Sequence, residues 1–251
     1  MLFQSIVYGP IHSRRLGTSL GVELMPLEHK LCTFNCVYCE CGWNQPVSHP
    51  VLPTREEVKT ALEEKLREGI SLDVITFSGN GEPTLHPDFL GIIEDTIALR
   101  DMYCPEAKVS VLSNSTQLGR PDVVQALKLC DNRILKLDAG TDEMMRRIDL
   151  PVNESLDVAT IIGWLQQFNG DFTLQTCFLR GRHNNQMIDN TTPGELNAWY
   201  KAVDLLHPKQ LMIYVIDRKT PEEHLEKIPR LEMEAIAAPL IANGYDVIIS
   251  A

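Results

Sequence analysis

Four cysteines fall within ten residues of this chain, and they are the side chains whose spacing most directly indicates chemistry. They are Cys32, Cys36, Cys39 and Cys41. The N-terminus shows no basic region followed by a long apolar stretch, so we expect no export signal. In such a chain, crowded thiols indicate thiolates gathered on a metal rather than a disulfide framework. The three remaining cysteines lie far apart in sequence, and we expect them to be small buried residues.

The first three of these cysteines follow the pattern C-x3-C-x2-C. Three thiolates so spaced can hold three irons of one [4Fe-4S] cluster and leave the fourth iron open to a ligand. Two alternatives use Cys41 as a fourth ligand: a structural zinc site, or a cluster that only transfers electrons. Zinc usually takes its thiolates from two separated pairs, whereas here all four cysteines lie on one short loop. Ferredoxin-type clusters need four thiolates and Cys41 offers a fourth, so the presence of Cys41 does not discriminate between the alternatives.

A second segment of interest is Gly79-Asn80-Gly81-Glu82, which follows a predicted strand over 73–78. Glycine permits positive φ, so this segment exposes backbone amides and carbonyls at the end of a strand. That arrangement suits a small zwitterionic ligand. The alternative is an ordinary tight turn from strand to helix.

The elements that must position these segments alternate between short β-rich runs and longer helical patterns. Strands are predicted over 20–24, 73–78, 108–113, 133–138, 171–178, 210–216 and 245–249. Helices are predicted over 54–69, 87–100, 120–129, 142–148, 155–168, 192–206 and 231–243. This alternation requires an α/β fold with a parallel sheet, whose ligands bind at the carboxyl ends of the strands.

Local signals mark the ends of several helices. Thr54 precedes Glu57 by three residues and Thr192 precedes Glu195 by three, the spacing of a capping box. Gly69 is suited to the end of a helix because it tolerates positive φ, and Gly244 is placed likewise.

Strand parity predicts polar side chains in the interior. Along 133–138, Lys136 and Asp138 share one face, while Leu135 and Leu137 share the face that helices must cover. A lone buried charge is costly unless it meets a partner or a ligand. We therefore expect a polar pocket or, as the alternative, a buried ion network in which Lys136 and Asp138 pair with each other or with neighbours.

Cationic and polar groups near predicted strand ends are candidates for substrate binding, because such groups can hold a carboxylate or a phosphate. The candidates are Arg14, Arg15, Gln175, Arg180, Arg182 and Arg218. A solvated or ion-paired surface role is the alternative for each arginine.

The cysteine triplet, Tyr38 before its last member, and the Gly-Asn-Gly-Glu-Pro segment together resemble the radical SAM superfamily. Residues 8–22 and 78–87 are similar to a branch of Fe-S oxidoreductases related to the wybutosine-synthesis enzyme 4-demethylwyosine synthase. The resemblance implies a partial (β/α)6-type TIM-like barrel, with room for an extra C-terminal strand. It also implies one 4Fe-4S cluster on Cys32, Cys36 and Cys39, with S-adenosyl-L-methionine (SAM) bound at its open iron.

The resemblance further implies a set of cofactor contacts. It places Tyr38 near the adenine and residues 79–82 on the methionine amine, with Asn80 departing from the usual glycine. The ribose and carboxylate would lie near Ser113, Asn114, Lys136 and Asp138. Unlike the tRNA-modifying relative, this chain has no second cysteine triplet, so we do not carry over tRNA as its substrate.

Composition limits the remaining possibilities. The chain has 251 residues and a formal charge of −11, which disfavours nucleic acid as a partner without forbidding it. No apolar run approaches the roughly 20 residues that span a bilayer. We therefore expect a single cytoplasmic domain over 1–251 that receives electrons from a donor such as flavodoxin or ferredoxin.

The expected function is that of an oxidoreductase-type radical SAM enzyme. In such enzymes, reductive cleavage of SAM yields a 5′-deoxyadenosyl radical, which here would abstract hydrogen from a small molecule or nucleoside. One alternative is an activase that installs a glycyl radical on a partner protein. The other is a non-catalytic iron-sulfur or zinc module completed by Cys41.

Overall fold

A computed structural model describes residues 2–13 and 16–251 of the chain. These residues form two compact units. The first comprises Met1–Cys32 and Asn44–Ile134, and the second comprises Thr33–Trp43 and Leu135–Ala251. The division falls once in the cysteine segment and once within a strand.

Four complete strands of the sheet lie in the first unit. Strand β1 (Val7–Ser13) pairs antiparallel with β2 (Gly17–Val22), and β3 (Val74–Phe77) and β4 (Lys108–Ser113) follow in parallel. The helices of this unit are α1 (Arg55–Leu66), α2 (Phe89–Tyr103) and α3 (Pro121–Leu129). All four residues of β3 are buried, as expected for a parallel strand covered on both faces.

Strand β5 (Asn132–Lys136) carries the chain into the second unit. There, β6 (Thr173–His183), β8 (Gln210–Val215) and β10 (Val247–Ser250) pair in parallel, while β7 (Gln186–Asp189) and β9 (Leu225–Lys227) pair antiparallel with β6. The helices are α4 (Asp142–Ile148), α5 (Val158–Leu165), α6 (Pro193–Leu206) and α7 (Arg230–Ala242).

The predicted α/β fold is confirmed: the sheet is mostly parallel and is not closed, and β10 is the expected extra C-terminal strand. Each predicted strand and helix has a counterpart within a few residues of its expected bounds. The sequence did not predict β1, β7 and β9. The first contains Gly9 and Pro10, which interrupt a strand pattern, and the other two have only four and three residues.

The two helix-start signals differ in outcome. Thr54 and Glu57 form the complete capping box predicted for α1. At α6, the Thr192 hydroxyl accepts a hydrogen bond from the Glu195 backbone N–H. The Glu195 carboxylate accepts a hydrogen bond from the Thr141 hydroxyl, and so the capping box is not completed. In the described part of the chain, the helices are too short or too polar to cross a membrane.

Candidate functional site

In the first unit, the Gly-rich segment is hydrogen-bonded to the residue that precedes Cys32. Leu31 N–H donates to the Asn80 carbonyl at 3.1 Å, and Glu82 N–H donates to the Leu31 carbonyl at 3.2 Å. These two bonds form an isolated parallel bridge between Leu31 and Gly81. The segment is therefore held beside the first cysteine through main-chain atoms.

Two glycines of this segment have no room for a side chain. A Cβ at Gly81 would lie 1.7 Å from the Leu31 carbonyl oxygen. Gly79 has φ of +155°, and a Cβ there would lie 1.9 Å from Oε2 of Glu23. Close approach of neighbouring groups, rather than turn formation alone, thus requires glycine at both positions.

Glu23 is a buried carboxylate that organises the same segment. Its side chain is 1% exposed and accepts hydrogen bonds from the backbone N–H groups of Met25, at 2.7 Å, and Asn80. Burial raises the pKa of Glu23 to about 7, although these backbone donors favour the charged form. Glu23 was not predicted from the sequence, where its only signal is that of a single carboxylate inside an apolar run.

Asn80 lies where the resemblance leads one to expect glycine, and its side chain has a structural role. Its amide donates to the Phe3 and Pro26 carbonyls and its oxygen accepts from the Phe3 N–H, with distances of 2.8 to 3.0 Å. The residue is fully buried. The predicted cofactor contact of Asn80 therefore has to come from its backbone rather than its side chain.

Glu82 connects the Gly-rich segment to the end of β4. One carboxylate oxygen accepts from the hydroxyl and N–H of Thr84, and the other accepts from the Asn114 N–H at 2.7 Å. Burial raises the pKa of Glu82, and the hydroxyl of Ser113 opposes that shift as a hydrogen-bond donor. The Asn114 amide in turn donates to the Cys32 sulfur at 3.4 Å. Three predicted residues, Glu82, Ser113 and Asn114, are thus brought together near Cys32.

In the second unit, Lys136 is the centre of a buried ion network. Its ammonium lies 2.6 Å from Asp149, 3.0 Å from Asp138 and 3.0 Å from the sulfur of Cys36. Burial disfavours the charged amine, but the two carboxylates raise the pKa of Lys136 well above its ordinary value. The alternative of a buried ion network, raised by strand parity, is therefore what the structure contains.

Asp149 completes this network and was not predicted. Burial raises its pKa to about 6, against the opposing effect of Lys136. The residue follows α4 and lies 13 positions beyond Lys136, so no spacing pattern links the two in sequence.

Tyr38 lies within the same network, on the cysteine segment. Its hydroxyl donates to Asp138, whose other oxygen accepts from the Cys177 N–H at 2.8 Å. Burial raises the pKa of Tyr38 well above its ordinary value, and the Asp138 charge adds to that effect. The phenol therefore stays protonated and acts as a donor to Asp138.

The predicted substrate-binding residues have different environments. Arg180 contacts Glu232 and Thr191, and Arg218 lies 2.7 Å from Glu40. Arg182 lies beside the Met187 thioether, and Gln175 beside that of Met212. Arg14 and Arg15 fall outside the described residues. Two of these six, Arg180 and Arg182, line a cavity of about 510 Å³ together with Asp189, Glu223 and Glu226.

Comparison with known proteins decides the family. Residues 29–190, well over half of the chain, match the model of the radical SAM superfamily. The chain belongs to the radical SAM superfamily. Its members use a [4Fe-4S] cluster and S-adenosylmethionine, so the predicted cofactors are confirmed for this protein.

The relatives in sequence include proteins without a descriptive name. A UPF0026 protein of Synechocystis is 32% identical over 221 residues, which cover 86% of this chain and 77% of the relative. A protein of Brachyspira hyodysenteriae named GTPase Obg is 30% identical over 94% of this chain and 34% of its own length. A UPF0026 protein of Helicobacter pylori is 32% identical over 70% of this chain and 57% of its own length. The chain thus spans about a third to somewhat over half of those last two relatives.

Solved structures of radical SAM enzymes share the fold. SuiB of Streptococcus suis, bound to S-adenosylmethionine, superposes with a TM-score of 0.65 at 12% identity, covering 91% of this chain and 50% of SuiB. TYW1 with a lysine-pyruvate adduct superposes with a TM-score of 0.61 at 15% identity, covering 91% and 75%. At these identities the likeness concerns the fold, which is the partial barrel of radical SAM enzymes.

The residues of the cysteine segment fit a cluster by the chemistry of their surroundings. The described residues include no group of three His, Cys, Asp or Glu side chains that could hold a single metal ion. A [4Fe-4S] cluster has a different requirement, since each thiolate binds its own iron. Two of the sulfurs have N–H donors, Asn114 at Cys32 and Lys136 at Cys36, and such donors favour the thiolate that binds iron.

Proposed function

We propose that this radical SAM enzyme abstracts hydrogen from a small-molecule or nucleoside substrate in an oxidoreductase-type reaction. The cluster and SAM supply the general chemistry of the superfamily, in which one-electron reduction of SAM gives methionine and a 5′-deoxyadenosyl radical. The observation that carries the proposal is the main-chain bridge between Leu31 and Gly81. It holds the Gly-rich segment directly beside the first cysteine of the triplet.

In this proposal, Cys32, Cys36 and Cys39 are the cluster ligands, and Cys41 is not. The donors at Cys32 and Cys36 support the assignment because a hydrogen bond to sulfur favours its anionic form.

We assign SAM binding to the residues that the family resemblance predicts for it. Backbone groups of Gly79, Asn80 and Gly81 would receive the methionine end, and the buried Glu82 carboxylate would hold the segment in place through Thr84 and Asn114. Side chains of Ser113 and Asn114 would contribute at the ribose and carboxylate, with Tyr38 at the adenine. Lys136 and Asp138 would act indirectly, because their hydrogen bonds hold Cys36 and Tyr38 in place.

A cavity in the second unit, lined by Arg180 and Arg182 among others, is of a kind that small polar molecules occupy. Its volume of about 510 Å³ lies in the range of small-molecule sites. Arginines and carboxylates line it together, which suits a small polar ligand that carries groups of both charges. The net charge of −11 disfavours a polyanionic substrate. We infer that a flavodoxin- or ferredoxin-type donor supplies the electron.

Anaerobic reconstitution tests the ligand assignment. We expect C32A, C36A and C39A to lose most of the bound iron and all formation of 5′-deoxyadenosine with dithionite and SAM. The C41A protein is the matched control, because it removes a neighbouring thiol and should retain a cluster whose EPR signal changes when SAM is added. A C41A protein without a cluster would instead favour a four-thiolate module.

Deuterium transfer tests the substrate class. The reduced enzyme would be incubated with SAM and a deuterated small-molecule extract, and deuterium in 5′-deoxyadenosine would be measured by mass spectrometry. Enrichment is the expected result. Enrichment only with a deuterated protein fraction would contradict the proposal and indicate an activase.

A further inference from the structure

The ammonium of Lys136 lies against the sulfur of Cys36 in the interior of the second unit. The Nζ–Sγ distance is 3.0 Å, and the two residues are 9% and 7% exposed. A charged hydrogen bond in a poorly solvated site is stronger than a neutral one. The Lys136 side chain is also held in place, because Asp149 and Asp138 accept from the same ammonium.

We propose that Lys136 raises the reduction potential of the cluster through its charged hydrogen bond to the Cys36 sulfur. This inference rests on the proposed function, in which Cys36 is a cluster ligand. Reduction adds one electron to the cluster, and a positive donor at a ligand sulfur stabilises the added negative charge. Hydrogen bonds to the sulfurs and nearby charge are established determinants of cluster potential.

The carboxylate of Asp149 acts in the opposite direction at the same sulfur. Its Oδ1 lies 3.4 Å from the Cys36 sulfur, where a negative charge disfavours the reduced cluster. Lys136 therefore offsets a carboxylate that is already present. The substitution K136M alone would leave Asp149 beside the sulfur and both carboxylates without their cation, so its effect on the potential should be the largest in the series.

The first unit offers a neutral counterpart. There the Asn114 amide donates to the Cys32 sulfur at 3.4 Å, so this bond is longer and lacks a formal charge. If charge is the important property, removal of the Asn114 donor should shift the potential less than removal of Lys136.

A redox titration of reconstituted full-length protein, followed by absorbance and EPR, tests the proposal. The series comprises wild type, D149L, N114L, K136M and the double variant K136M/D149L, which keeps the net charge of the network while removing the donor. We expect the reduction potential of D149L to be higher than that of wild type. The potential of N114L should be slightly lower than that of wild type, and that of K136M should be the lowest. The potential of the double variant should lie between those of N114L and K136M. Its equilibrium constant for reduction should be about tenfold lower than that of wild type, which corresponds to a potential ~59 mV lower for one electron.

The outcomes separate this inference from the proposed function. Equal potentials for wild type, D149L and the double variant, with equal iron content, would overturn the role of Lys136 while leaving the cluster assignment intact. A wild-type protein that binds no three-cysteine cluster would overturn the proposed function instead. If K136M fails to fold, D149L and the double variant still decide, because the proposal requires them to shift in opposite directions.

Discussion

In the first unit the sulfur of Cys32 lies beside a neutral amide, whereas in the second unit the sulfur of Cys36 lies beside an ammonium and a carboxylate, and a second carboxylate contacts the same ammonium. The first arrangement depends on main-chain hydrogen bonds and on glycines with no room for a Cβ. The second depends on a balance of buried charges. The first unit should therefore be sensitive to added volume, and the second to altered charge.

The largest effect is expected from G81A in the first unit. The new Cβ would meet the Leu31 carbonyl at 1.7 Å, and backbone cannot move aside as a flexible side chain does. We expect a loss of about 4 kcal/mol or more in the free energy of unfolding. SAM affinity should fall about a hundredfold, which corresponds to ~3 kcal/mol. Chemical unfolding and equilibrium SAM binding measure these effects.

G163A is the matched control for that prediction. A Cβ at Gly163 would meet no atom within 4 Å, and the residue lies in α5. Replacement of a helical glycine by alanine should stabilise the protein by roughly 0.5–1 kcal/mol. Wild-type stability and SAM binding in G81A would show that the first unit does not depend on close packing.

The next effect concerns charge in the second unit. K136M leaves Asp138 and Asp149 without their cation, and loss of one partner from a buried ion network costs about 3–5 kcal/mol. The K136M/D149L protein should recover most of that loss, because only one carboxylate remains and it keeps the Tyr38 and Cys177 donors. Unfolding of both variants under anaerobic conditions measures the difference. Equal stability of the single and double variants would contradict the charge-balance interpretation.

A pH series tests the buried carboxylate of the first unit. Burial raises the pKa of Glu23 to about 7 from 4.5, so between these values the folded chain holds a proton that the unfolded chain has released. Stability should therefore fall as pH rises through this window, by up to about 3 kcal/mol. We expect E23Q to decline less than wild type over this window, while part of the decline persists because the raised pKa values of Asp149 and Glu82 act in the same direction. The exposed residue Glu94 provides the control, because E94Q should retain the wild-type slope.

The smallest effects are expected at the helix caps of the two units. T54A removes one side of a complete capping box and should cost about 1 kcal/mol. T192A removes a longer bond, at 3.4 Å, and should cost about half as much. Thermal unfolding of both variants tests this order. A larger loss of stability in T192A than in T54A would show that the geometry of a cap does not determine how much it contributes to stability.

Periodicity and turn chemistry predicted most of the fold. Each predicted strand is short and apolar or lies next to a clear helix pattern, which explains the close agreement in bounds. Strand parity correctly placed Lys136 and Asp138 in the interior. It could not identify their partner Asp149, because contacts between a strand and the end of a later helix follow from tertiary packing rather than from sequence spacing.

The candidate site was predictable where its groups lie on one short segment. The cysteine triplet and residues 79–82 are of that kind. Glu23 was not predictable in its role, because a carboxylate at the end of a strand usually points to solvent, and only the folded backbone brings it against Gly79. Predictions of single arginines as substrate contacts were the least specific, since the structure gives Arg180 and Arg218 carboxylate partners.

The bridge between Leu31 and Gly81 has a consequence for evolution. Both of its hydrogen bonds use main-chain atoms, so they do not depend on which side chain occupies position 31. Position 81, in contrast, tolerates no side chain at all. Among related sequences, we therefore expect the residue at position 31 to vary freely and the residue at position 81 to remain glycine, even though the two residues are hydrogen-bonded neighbours.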